Sequence, residues 1–271
     1  MPVTHDILLE SGETVKITFP EPRQGVSTFV IAGHKTGSVL LNNIIRDFAR
    51  LTPLPTVAVE EDIWRQGVSI RNWPQQIFDL MDQEGYIFHS FRDLQRLPEI
   101  KSFDRACKIF MVRDPRDVAV SYFFSMAKSH TLPAAGQVRD EILKIRELAN
   151  ELTVDEFVQS GKANHALANI QRFADFLGQD NAVFYRYEDI IFEKAAWVRQ
   201  IASDLKIEIT EDDVHKIAKR HDIRPEKEDP SAHIRSVSPG DYKNKLAPES
   251  VRYIEKTFPR FFSDLKYPAT L

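Results

Sequence analysis

The 271-residue chain has a single cysteine, Cys107, so no intrachain disulfide and no cysteine-based metal cluster can form. A reducing, cytoplasmic setting is expected from that. An excess of positive charge is also missing. Against 40 Asp and Glu stand 36 Lys and Arg, a formal net charge of −4, which argues against a globally basic nucleic-acid binder. No run approaches the ~20 apolar residues that a membrane-spanning helix needs. Met1 to Glu10 lacks the basic start of a signal peptide and has only the short apolar stretch Ile7 to Leu9. There is no internal repeat and no collagen-like, coiled-coil or low-complexity bias. With 42 % hydrophobic and 28 % charged residues, the chain is too apolar to be disordered and long enough to bury a substantial core.

Short alternating stretches at Asp6 to Leu9 and Thr14 to Phe19 flank Ser11 and Gly12 and predict a short N-terminal hairpin. It is expected to decorate the edge of the domain, as an extension over residues 1–26 that precedes a single domain over 27–271. Thr28-Phe29-Val30-Ile31-Ala32 is a continuous apolar run of the buried parallel-strand kind. It leads through Gly33 to Gly37 into a helix with Leu40, Leu41, Ile44, Ile45 and Phe48 on one face. Tyr86 to Phe88, Lys108 to Val112 and Ala182 to Tyr187 read as further strands. Helical patterns run over Val118 to Met126, Val138 to Leu148 and Leu167 to Leu177, the last closing at Gly178. The alternation predicts an α/β domain with a central parallel sheet flanked by helices and right-handed crossovers. Asp222 to Lys245, with Pro225, Pro230, Pro239 and Gly240, is expected to be a long loop of the kind that serves a binding site. Helices over Pro248 to Phe258 and Arg260 to Leu265 close the chain.

Three constellations carry chemistry. Gly33-His34-Lys35-Thr36-Gly37-Ser38 joins a strand to a helix, and such a turn offers backbone N–H groups and a positive dipole end to a phosphate or sulfate. Lys35 precedes Gly37, whereas a nucleoside-triphosphate P-loop has its Lys directly after the second Gly, so ordinary NTP hydrolysis is not the natural reading. Taken alone, the segment is equally a tight turn with an incidental Lys. Arg113 stands at the end of a buried strand, Pro115 opens the next helix, and Ser121 lies along it, so Arg113 points to the rim that Lys35 occupies. A surface ion-pair cluster of Arg113, Asp114, Arg116 and Asp117 is the competing reading. The third constellation, His233-Ile234-Arg235 through Asn244, is a cationic stretch of the long loop.

Together, in this order, these segments resemble the sulfotransferases that use 3′-phosphoadenosine 5′-phosphosulfate (PAPS), single-domain α/β enzymes with a P-loop-like nucleotide-binding core. His34 to Ser38 resembles the family's 5′-phosphosulfate loop, P-K-S-G-T-T-W. Arg113-Asp-Pro-Arg-Asp-Val-Ala-Val-Ser121 matches its 3′-phosphate motif, R-[ND]-P-[KR]-D-x-x-V-S. Tyr185-Arg-Tyr187-Glu188-Asp189 resembles its Y-E-D element, and His233 through Asn244 its C-terminal R-K-G-x-x-G-D-W-K-N loop. The resemblance implies sulfuryl transfer from PAPS to an acceptor hydroxyl or amine, leaving adenosine 3′,5′-bisphosphate (PAP). It assigns the nucleotide to Lys35, Thr36, Gly37, Ser38, Val39, Arg113, Ser121, Tyr187 and Arg235, with Lys35 catalytic at the bridging oxygen and no metal. Val39 and Leu40 stand where the family has Thr and Trp, so the aromatic stack on adenine is missing and Tyr187 is the candidate replacement. Ser236 and Val237 replace the Lys and Gly of the C-terminal loop. For the base, relatives place a His after the strand preceding the 3′-phosphate motif, which implies His89. Glu60 or Glu61 competes, because some carbohydrate sulfotransferases use a Glu. His34 could contact the phosphosulfate, whereas His130, His165, His215 and His221 belong to no constellation and are expected at the surface.

The acceptor is expected to be a small molecule in preference to a protein, with neither nucleic acid nor membrane as partner. Its pocket is expected from the loops Thr52 to Trp73, His130 to Val138 and Ser231 to Ser238, with Trp64, Trp73, Phe91, Phe124 and Leu132-Pro133 as candidate walls. Two other readings stay open: a non-catalytic PAPS, PAP or phospho-ligand binder of the same fold, and a P-loop kinase with Asp114 as the Mg²⁺ carboxylate.

Overall fold

The computed structural model of the protein describes residues 1–10, 12–225, 227–229 and 235–270. Ser11 of the hairpin turn, and Pro230, Ser231, His233 and Ile234 of the long loop, lie outside the described residues.

Two strands, β1 (Val3–Leu8) and β2 (Thr14–Phe19), pair antiparallel as the N-terminal hairpin. Five more, β3 (Thr28–Ala32), β4 (Thr56–Val57), β5 (Ile87–Phe91), β6 (Cys107–Val112) and β7 (Ala182–Arg186), form one parallel sheet in the order β4-β5-β3-β6-β7. β3 is central and all five of its residues are buried. The two-residue period sends Phe29 and Ile31 into one core layer, with Val30 and Ala32 in the other, which is why the strand is apolar throughout. One layer holds the helices Ser38–Leu51, Lys194–Asp204 and Glu211–His221, through Leu41, Ile44, Ile45, Phe48, Trp197, Val198, Ile201, Val214 and Ile217. The other holds Pro115–Phe124, Gln137–Glu151, Asn164–Gln171 and Pro248–Thr257. The hairpin is more than an ornament: Ile7, Val15, Ile17 and Phe19 join that second layer, where the Phe19 ring meets Tyr86 edge-on at 5.3 Å.

Several boundaries differ from the sequence expectation for local reasons. The Leu167 to Leu177 pattern divides into a helix over Asn164–Gln171 and a 3₁₀ segment over Arg172–Phe176, closed by Gly178 at φ 78°. The helix Pro115–Phe124 passes into a π turn at Ser125–Ser129. β7 stops at Arg186, and Tyr187 opens the helical turn Tyr187–Ile190. β5 carries a bulge: Phe29 pairs with Phe88 but Ile31 with Phe91, so two steps along β3 span three along β5, and Ser90 takes up the extra residue at φ 77°. Among the described residues, no helix is long and apolar enough to cross a membrane.

Candidate active site

All five parallel strands end at one rim, and the segments that leave those ends enclose a cavity of about 1000 Å³. Lys35 follows the central β3, Arg113 follows β6 and Tyr187 follows β7, while Glu60 follows β4 and Arg92 follows β5. The strand order therefore divides the cavity into a β6/β7 arm and a β4/β5 arm that meet at Lys35.

The loop after β3 is shaped from inside. The fully buried Thr36 donates its hydroxyl to the Gly33 carbonyl at 2.9 Å, so this side chain holds the turn and does not line the cavity. Gly37 sits at φ 100° as N-cap of the Ser38–Leu51 helix, and a Cβ there would come within 2.6 Å of Met111 Cε. Gly37 thus lets the helix N-terminus, which has no side-chain cap, lie against the β6 and β7 ends with N–H groups free for an anion. Lys35 itself is left-handed at φ 65°, a conformation that costs a non-glycine residue about 1–3 kcal/mol and persists where the surroundings dictate it. Burial, with the nearby guanidinium groups of Arg113, Arg92 and Arg235, lowers its ammonium to about 8. Ser38 and Val39 also line the cavity.

In the β6/β7 arm the Arg113 guanidinium lies 4.1 Å from the centre of the Tyr187 ring and donates to the Lys35 carbonyl at 3.3 Å. Its nearest carboxylate, Asp117 Oδ2, is 3.9 Å away, and its buried Nε has no hydrogen-bond partner. Ser121, three helix residues past Val118, faces the same space. Asp117 accepts the Gly240 and Tyr242 N–H groups at 2.7 and 2.9 Å, which ties the long loop to the motif helix. Arg235 is thereby delivered to the cavity over the Phe124 ring at 4.5 Å, its fork held by Glu228 and Asp241. Arg113 covers Tyr187, whose hydroxyl donates to the Val237 carbonyl at 3.2 Å. The apolar surface left on this side comes from Leu40, Ile191, Ile223 and Val237, of which the sequence did not single out Ile191 and Ile223. Asp114 is turned away, with both oxygens on Arg116 at 2.9 and 2.7 Å. A carboxylate so engaged is no open Mg²⁺ ligand, which removes the physical basis of the kinase reading.

The β4/β5 arm departs from expectation. His89 is 97 % buried and does not line the cavity; its Nδ1 lies 3.1 Å from Ser90 Oγ and 3.4 Å from Asn42 Oδ1, and those two residues form the wall in front of it. Burial and the Arg46 charge lower the imidazole to about 4. The β5 bulge is responsible, because the inserted residue gives the cavity Ser90 and Arg92 in place of His89. Glu60 does face the cavity, and burial raises its carboxyl to about 8 even though Oε2 accepts the Arg92 N–H at 2.8 Å. Glu61 is pinned by Arg46 and Arg65 and accepts the Ser90 hydroxyl at 3.1 Å, and those cations hold its carboxyl below the usual range.

Of the histidines expected at the surface, His130 lines this arm, and so does His165, which is exposed as expected, beside His34, whose imidazole burial keeps well below its usual value. His221 also reaches the cavity, with Nε2 2.8 Å from the buried Asp47. Trp64 and Phe124 are wall residues, whereas Trp73 and Phe91 are core side chains at 3 % and 0 % exposure. No local signal marked His130 or His165, because a helix and a π turn from distant parts of the chain bring them together.

The sulfotransferase domain model matches residues 27–266. A search of curated sequences gives no match. Among solved structures, a mouse sulfotransferase, SULT7A1, complexed with PAP superposes at a TM-score of 0.61 with 15 % identity, covering 90 % of this chain and 86 % of that one. A retinol dehydratase in complex with androsterone and the inactive cofactor PAP gives 0.54 at 14 % identity, over 98 % and 92 %. At such identities the likeness is one of fold.

Proposed function

The chain belongs to the sulfotransferase domain family, and on that premise we propose that it transfers the sulfuryl group of PAPS to a hydroxyl or amine of a small acceptor. The observation that carries the proposal is the meeting of Lys35, the helix N-terminus after Gly37, Arg113 and Ser121 in one cavity at the strand ends. The Arg113 guanidinium lines this cavity with its buried Nε unpartnered, and such a group fits a 3′-phosphate. Leu40, Ile191, Ile223 and Val237 offer the apolar walls that an adenine needs where the family has a Trp. A single, partly buried Cys107 accords with a reducing, cytoplasmic setting.

PAPS supplies the sulfuryl group and, in PAP, a phosphate leaving group. Lys35, followed by free backbone N–H groups, neutralises charge that grows as the bridging bond breaks, in a site where low dielectric strengthens the attraction. Arg113 and Ser121 hold the nucleotide in register. Glu60 takes the acceptor's proton: it faces the cavity from the β4/β5 side, and a carboxyl near 8 is poised between its two forms at working pH. His89 is a positioning residue, holding Ser90 and Asn42 from behind.

The test is a thermal-shift comparison of PAP with ATP, followed by assay of PAPS desulfation with an acceptor panel. PAP at a hundred times its Kd should stabilise by about 2.7 kcal/mol, and ATP, which has no 3′-phosphate, by far less. Equal shifts would refute the donor assignment, and PAP binding without desulfation of PAPS by any acceptor would favour a non-catalytic binder.

A further inference from the structure

Arg92 is the first residue beyond the β5 bulge, and its guanidinium lies half-buried in the cavity wall. Its neighbouring arginines are matched: Arg46 and Arg65 share Glu61, and Arg71 donates Nε to Gln95 at 3.1 Å. Arg92 has no such partner. Its backbone N–H is bonded to Glu60, but among the described residues the guanidinium makes no hydrogen bond or ion pair. The charges of Glu60 and Glu61 act on it without forming an ion pair, so the donors of the fork are left for a ligand, and hydrogen bonds from a guanidinium to an anion are of the strong, charge-assisted kind. The exposed Lys162 also lines the cavity.

We propose that the acceptor carries an anionic group, a carboxylate or a phosphate, which the Arg92 guanidinium receives while the neighbouring hydroxyl or amine faces Glu60. The inference rests on the sulfotransferase reading, since it takes the β4/β5 arm as the acceptor's. Two features assign the anion to the acceptor and not to the donor's 3′-phosphate. The groups placed for the 3′-phosphate, Arg113 and Ser121, lie beyond β6, on the far side of β3 from Arg92. Arg92 is also fastened through its own N–H to Glu60, so an anion on its fork holds the rest of the acceptor next to the base. The planar fork suits two-pronged recognition of a carboxylate or phosphate, which an ammonium does not reproduce.

The probes are three phenols that differ in one substituent: 4-hydroxybenzoate, 4-hydroxyphenyl phosphate and 4-hydroxybenzamide. Binding to the wild-type protein is measured by calorimetry with and without saturating PAP. The two anionic phenols should bind at least about tenfold tighter than the amide, and a preference between them shows which anion the site takes. Arg92→Gln should bring all three to parity and leave PAP affinity within about twofold, while Arg92→Lys recovers only part of the preference. Equal binding of the three phenols to wild type would overturn the proposal. An Arg92→Gln variant that loses PAP affinity as strongly as it loses the anionic phenols would also overturn it, since Arg92 would then belong to the donor. A wild type that ignores PAP would refute the sulfotransferase reading instead, and the phenol comparison without PAP would still be readable.

Discussion

Replacing Glu60 with Gln tests the assignment of the base most directly. The amide keeps the shape and can still accept the Arg92 N–H, now 2.8 Å from Oε2, so the wall should stay in place while the proton acceptor is lost. A positioned general base contributes about 10²- to 10⁴-fold, and kcat should fall by that factor with PAP affinity unchanged. With the carboxyl at about 8, roughly a tenth of the wild-type enzyme is ionised at pH 7 and half at pH 8, so ionisation of Glu60 alone raises kcat/KM about fivefold over that interval. Lys35, also at about 8, loses its proton over the same range, and the profile should turn down above it. The anionic donor favours the ammonium, so under saturating PAPS the descending limb should move to higher pH. Stability supplies an independent reading. A folded-state value raised from 4.5 to about 8 means that Glu60's contribution is fully present below about pH 4.5 and is lost as pH rises through 8, by up to about 5 kcal/mol. Glu60→Gln, which cannot ionise, should therefore gain in Tm over wild type between pH 6 and 9. The assay is PAP release across pH 6 to 9.5 for both proteins, with thermal melts at each pH. A kcat within threefold of wild type, or a flat wild-type profile, would refute the assignment.

Arg113→Ala removes a charged phosphate contact of about 1.5–3 kcal/mol, and calorimetry should show PAP binding weakened about ten- to hundredfold; unchanged affinity would return Arg113 to a salt-bridge role with Asp117. Lys35→Ala should lower kcat about 10²- to 10³-fold while PAP affinity falls less than tenfold, because its charge acts most on the breaking bond; a proportional loss of affinity would make it a docking residue. His89→Ala should cost about 1–3 kcal/mol by leaving Asn42 short of a partner and Ser90 with Glu61 alone, read as a Tm several degrees lower, with activity per folded molecule within about fivefold. A hundredfold loss of activity at unchanged Tm would make His89 the base after all.

The sequence by itself determined the sheet's central strand, the loop after it and the family. Thr28–Ala32 was legible because a strand buried on both faces must be apolar throughout, and the Lys35 and Arg113 motifs because backbone turns at strand ends demand particular residues at fixed spacing. The two-residue β4 was not legible, since it is too short to carry a period. Tertiary structure decided which side chains reach the cavity. One inserted residue in β5 turns His89 into the interior and presents Ser90 and Arg92, an outcome of pairing against β3 that no pattern within 87–91 encodes. The difference between Glu60 and Glu61, adjacent and chemically identical, arises in the same way. Arg46 and Arg65 reach only Glu61, while Glu60 is recessed in the cavity wall with a single backbone donor. Spacing along a chain specifies which residues share an element, but charge and access depend on what other elements bring against them, and here that selects the carboxyl able to take a proton.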